Sequence, residues 1–146
     1  MQNAATRQVS PASAGGQAKP RIRITAEDNE RLSTLARAAM DIMPDIASCL
    51  VDELDRAQVL PAGRIPDDVV RMGSLVRFRD ETTGTVRTAT LVYPDEADIE
   101  RGRVSVLTPI GTALIGLGVG QSILWETRTG DERRLTVLDV QRGEPG

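Results

Sequence analysis

Two carboxylates, Asp41 and Asp45, flank a Met43-Pro44 break in a stretch otherwise patterned as helix. Magnesium takes only one or two protein carboxylates and fills the rest of its shell with other oxygens, so such a pair suits it. Each acid also has a plain structural role. Asp45 is a good N-cap for a helix starting beside it, and Asp41 is an ordinary polar loop residue. Other chemistry is narrowly bounded. The 146 residues include no histidine and one cysteine, Cys49. That excludes a His/Cys metal centre, a disulfide framework and any histidine general base. Cys49 falls on an apolar stripe and reads as core, and a lone thiol suits a reducing cytoplasm. No catalytic residue, bound metal, cofactor or small-molecule substrate is expected.

A second candidate runs from Ser105 to Gly120. Here a β-like run stops at Thr108-Pro109 and a compact apolar helix follows. Thr108 is a good N-cap, and Pro109 fits the first helical position, where its missing N–H has no intrahelical acceptor. Gly116, Gly118 and Gly120 can supply the positive φ that closes a short helix. Read locally, Thr108-Pro109 caps the helix and Gly111 permits close packing, and a loop preset in this way would lose little entropy on meeting a partner.

These residues need elements to hold them. Thr25 begins a helix with an acidic first turn, Glu27, Asp28 and Glu30. Leu32, Leu35, Ala36, Ala39, Met40 and Met43 recur at helical spacing as one stripe. A second helix is predicted over about 45–59, with a stripe of Ile46, Cys49, Leu50, Leu54 and Ala57. Two helices joined by a short loop form an antiparallel hairpin, a short coiled coil whose tip carries Asp41, Met43 and Asp45. Asp52, Glu53 and Asp55 with Arg56 read as its solvated surface, on which Glu53 can pair weakly with Arg56 or Arg31. Arg21–Ile24 is a brief alternating run, a short strand or a lead-in clip. From Val69 onward the pattern turns to strands, over 75–79, 85–93, 103–107, 122–126 and 135–140, with a helix over 109–116. The class is α+β: a helical hairpin over 21–63, then an antiparallel β domain with one short helix over 64–142.

Residues 1–20 are rich in Ala, Ser, Gln, Gly and Pro, and are read as a disordered leader. Charge is uneven around the net −3. Arg7, Lys19, Arg21 and Arg23 precede Thr25 with no acid among them, which leaves 14 cations against 21 acids, or −7, in the remainder. An acidic body disfavours direct, specific nucleic-acid binding, which needs a positive surface, and can complement a basic protein. No run approaches the roughly 18 apolar residues of a membrane span. A cytoplasmic protein without membrane contact is the expectation.

The loop Thr108-Pro109-Ile110-Gly111-Thr112-Ala113-Leu114 resembles the Ser-Pro-Ile-Gly-x-Ala-Leu-type signature of the Gre transcript-cleavage factors. Further motifs resemble the Rnk-type branch of that superfamily: Glu53-Leu54-Asp55-Arg56-Ala57-Gln58, Met72-Gly73-Ser74-Leu75-Val76-Arg77-Phe78-Arg79, Thr90-Leu91-Val92-Tyr93-Pro94 and Ile123-Leu124-Trp125-Glu126. The resemblance implies an FKBP-like C-terminal domain that docks on RNA polymerase near its secondary channel. It places Thr108, Pro109, Ile110 and Gly111 on the docking face and points the hairpin into the channel. In Gre factors acidic tip residues help hold a catalytic magnesium. A helix of about 16 residues reaches roughly 24 Å, short of the longer Gre arms. The expectation is therefore a non-enzymatic regulator that competes with Gre-type factors. A Gre-like cleavage stimulator acting through Asp41 and Asp45 is the alternative. A prolyl isomerase ranks last, because Phe78, Tyr93 and Trp125 are the only aromatic residues from which to line its pocket.

Overall fold

A computed structural model describes residues 20–127 and 129–142. The leader expected over 1–20 thus lies outside the described residues except for Pro20. The chain begins with strand β1 (Arg23–Thr25), helix α1 (Ala26–Ala39), helix α2 (Pro44–Arg56) and strand β2 (Gln58–Leu60). Five strands and one helix follow: β3 (Leu75–Asp80), β4 (Thr85–Val92), β5 (Arg103–Ser105), α3 (Pro109–Leu114), β6 (Ser122–Glu126) and β7 (Glu132–Gln141). The class is α+β, with the helical hairpin ahead of the sheet.

Thr25 caps α1 as its position predicts, its hydroxyl accepting from the Asp28 N–H at 3.0 Å. The buried face of α1 is Asp28, Leu32, Ala36 and Ala39; that of α2 is Ala47, Leu50, Glu53 and Leu54. Three expectations for the ends of α2 are corrected. Pro44 begins the helix instead of preceding it, because a first-turn residue needs no N–H. Asp45 is therefore inside the first turn, and Met43 is the N-cap residue, with no side-chain cap bond. The helix also stops at Arg56: the Gln58 N–H donates to the Ile22 carbonyl at 2.9 Å, and Gln58–Leu60 leaves as a strand. β2 pairs in parallel with β1, which vindicates the strand reading of the lead-in run and clamps the two ends of the hairpin together. Cys49 is exposed, and Ala47 takes the buried place on the stripe. Glu53 is 4% exposed and paired with Arg56, not solvated.

The larger sheet has the order β5-β4-β3-β7-β6. All its pairs are antiparallel except β4–β5, which is parallel and corrects the all-antiparallel expectation. The crossover 93–102 makes this possible, since a two-residue hairpin cannot join parallel strands. Phe78, Leu91, Leu135 and Val137 line the buried face of the sheet together with Leu114, Ile115 and Leu117. The same core runs without a break into Ile22, Ile24, Leu32 and Leu50. Gly116 allows the join. Its φ is +82°, and a Cβ there would lie 2.8 Å from the Ile22 Cβ. The Arg23 N–H donates to the Gly116 carbonyl at 3.1 Å.

Candidate functional site

The 105–112 loop folds around its own hydroxyls. Thr108 Oγ1 donates to the Ser105 carbonyl at 2.7 Å and accepts from the Gly111 N–H at 3.0 Å. Ser105 Oγ accepts from the Leu107 N–H at 3.0 Å, and Thr112 Oγ1 donates to the Val106 carbonyl at 2.8 Å. Three side chains thus satisfy the backbone of a turn that would otherwise carry unpaired groups next to the core. Of the four residues singled out by sequence, Thr108, Pro109 and Ile110 are half-buried and reach solvent, whereas Gly111 is buried. Ile110 also leans on the core. Gly111 sets the geometry: a Cβ there would stand 2.2 Å from the Ser105 carbonyl oxygen. The surface is small, apolar and rigid. It carries no charged group and suits contact with protein better than catalysis.

The hairpin tip is separate from this loop. One carbonyl, that of Ala39, accepts from both the Ile42 N–H (3.1 Å) and the Met43 N–H (2.7 Å). This tight turn leaves Ile42 81% exposed, with Met40 and Met43 also exposed beside it. Asp41 and Asp45 are exposed on either side. Among the described residues no group of three or more His, Cys, Asp or Glu side chains could hold a metal ion. From this tip α2 runs 13 residues, about 20 Å at 1.5 Å per residue, back to the β1–β2 clamp. No described helix is long and apolar enough to cross a membrane.

One buried polar neighbourhood escaped the sequence reading. Asp28 is 9% exposed, and its Oδ2 accepts from the Met72 N–H at 3.3 Å, 44 residues away. Burial raises its pKa, against the opposing pull of the Met72 hydrogen bond and of Arg71. Next to it the Arg31 guanidinium lies over the Tyr93 ring at 5.1 Å. Burial, then the Asp28 charge, raises the Tyr93 phenol. These groups pin α1 to the strand end from which the 93–102 crossover departs. The signal was present in the sequence. Asp28, Leu32 and Ala36 recur every four residues, which places a carboxylate on the apolar stripe.

Comparison with known proteins covers nearly all of the described chain. Residues 65–142 match the family model described as Transcription elongation factor, GreA/GreB, C-term. Residues 20–60 match that of the Rnk N-terminus. The chain is 42% identical to the Regulator of nucleoside diphosphate kinase of Escherichia coli (strain K12), over 84% of this chain and 90% of that protein. It is 36% identical to the Transcription elongation factor GreA of Chelativorans sp. (strain BNC1), over 74% of this chain and 68% of that one. Among solved structures it resembles a prokaryotic transcription elongation factor GreA/GreB from Nitrosomonas europaea. The TM-score is 0.67 and the identity 38%, with 84% of this chain and 99% of that chain covered.

Proposed function

Because the chain belongs to the Rnk branch of the GreA/GreB family, we propose that it is a transcription regulator that binds RNA polymerase near the secondary channel and competes there with Gre-type factors. We divide it into a short coiled-coil hairpin over 21–63 and an FKBP-like anchoring domain over 64–142. The observation that carries the reading is the pairing of a rigid 108–111 loop with a stub hairpin. Thr108, Pro109 and Ile110 present a preset surface that loses little entropy on docking. The hairpin adds only a helix of 14 residues, about 21 Å. Anchored at the channel rim, it fills the entrance and stops short of the catalytic centre. Competition, without delivery of a metal ion, follows. Proline isomerisation finds no support in the same geometry. Phe78 is sealed in the core and Arg31 lies over the Tyr93 ring, so two of the three aromatic residues are already committed elsewhere.

The test is binding to purified core RNA polymerase with and without a Gre factor. Saturable binding that the Gre factor displaces is expected; absent or indifferent binding overturns the proposal. Ile110→Asp should weaken binding at least tenfold, since an unpaired charge at an apolar contact is costly. Ile110 leans on the core, so the thermal midpoint is measured in parallel, and Ile110→Ala provides the milder loss expected of the same contact. Asp41→Ala with Asp45→Ala should leave competition unchanged. In a backtracked-complex assay neither the wild type nor this double variant should accelerate transcript cleavage. Acceleration by the wild type that the double variant loses would restore the cleavage-factor alternative.

A further inference from the structure

The crossover between β4 and β5 holds an isoleucine, Ile99, 90% exposed. This is not a loose loop. The Asp98 N–H donates to the Arg103 carbonyl at 3.0 Å, and the Arg103 N–H donates back to the Asp98 carbonyl at 2.9 Å. Asp98 Oδ1 accepts from the Glu100 N–H at 3.1 Å. The Gly102 N–H donates to the Ile99 carbonyl at 3.0 Å, with Gly102 in the left-handed conformation, φ +71°. Four hydrogen bonds therefore fix a tight turn whose apex is an apolar side chain in water. The 94–102 segment that carries it holds Asp95, Glu96, Asp98 and Glu100 against one cation, Arg101, which pairs with Asp98 at 3.6 Å and leaves the segment net acidic.

Ile99 lies immediately before β5, and the 105–111 loop lies at its other end. β5 is three residues long, about 10 Å at 3.3 Å per residue, and is the edge strand of the sheet. The two features bracket one sheet edge, within reach of a single partner. We infer that the Ile99 turn is a second docking point, an apolar anchor in an acidic collar that inserts into an apolar socket with a basic rim on a protein partner. The collar excludes polyanions such as nucleic acid or an anionic membrane and complements cationic side chains, steering encounter as well as fixing register. A rigid anchor loses little conformational freedom on insertion.

The inference rests on the polymerase-docking reading, and the experiment separates the two. Binding of the full chain to purified core RNA polymerase is measured for wild type, Ile99→Asp and Glu96→Lys with Glu100→Lys. At low salt, Ile99→Asp is expected to bind at least tenfold more weakly with an unchanged thermal midpoint. The double reversal should slow association several-fold, a difference that shrinks as salt is raised. Wild type that fails to bind overturns the docking reading and this inference together. Wild type that binds while Ile99→Asp binds within twofold of it leaves the docking reading standing and overturns this inference alone.

Discussion

Gly111→Ala should lose about 3 kcal/mol or more of stability, with a fall in Tm of roughly 10 °C. Helix propensity predicts the opposite sign. Gly111 is the third residue of α3, and replacing an interior helical glycine by alanine is ordinarily worth up to about 1 kcal/mol in favour of the fold. Packing decides the matter. The added methyl would stand 2.2 Å from the Ser105 carbonyl oxygen and 2.9 Å from the Val106 Cα, both backbone atoms that cannot rotate away. Relief requires α3 to lift off the end of β5. That movement breaks the Thr108 bond to the Ser105 carbonyl and the Thr112 bond to the Val106 carbonyl together. Thr108→Ala is the contrasting case. It removes a cap worth about 1 kcal/mol and introduces no collision. Thermal melts of the two variants should therefore rank Gly111→Ala clearly lower. If it melts at or above the wild-type midpoint, the close seat of α3 on the Ser105–Val106 backbone is wrong.

The glycine's role also shows what sequence can and cannot reveal. Local signals were legible because they act within a few residues. Thr25 and Thr108 cap their helices, Pro109 starts α3, and the hydrophobic periods place α1 and the strands of the sheet. The failures come where a distant partner prevails over local preference. Gln58 continues a helical pattern yet leaves it, since the Ile22 carbonyl offers its N–H a partner 36 residues away. Cys49 and Ala47 both lie near the apolar stripe, and only packing against α1 decides that Ala47 is the buried one. Periodicity likewise cannot say whether the next strand runs parallel or antiparallel. The direction of β5 depends on the crossover folding back, through the Asp98–Arg103 bridge. Of the four loop residues proposed for docking, sequence located the loop and its cap but not which residue faces inward; Gly111 is buried, and Pro109 and Ile110 are half-buried at the surface. Ile99 escaped notice because an isolated isoleucine among acids carries no periodic signal.

Asp28 should distinguish a buried hydrogen-bond acceptor from a buried charge. Its carboxylate accepts the Met72 N–H and so joins α1 to the segment leading into β3, but ionisation there is disfavoured because burial outweighs the help of Met72, Arg71 and Arg31. Asparagine keeps an acceptor oxygen and removes the charge. Asp28→Asn should therefore be at least as stable as wild type at pH 7. Asp28→Ala leaves the Met72 N–H without its partner and should fall about 1–3 kcal/mol below Asp28→Asn. The pH dependence follows from the sign of the shift. With the folded-state value raised, the ionised carboxylate penalises folding above that value. The penalty fades as pH falls through it towards the ordinary carboxylate range. Asp80 acts in the opposite sense. Burial pushes it up, but Arg133 at 2.7 Å and the Thr82 and Thr83 N–H groups prevail and hold it low. Its stabilisation is present above the ordinary carboxylate value and is lost as pH drops through the depressed one. Urea unfolding from pH 7 downward should thus show the gap between Asp28→Asn and wild type closing before the Asp80 contribution is lost. A gap that widens on acidification, or an asparagine variant less stable than wild type at pH 7, would mean that the charge itself holds the hairpin to the sheet.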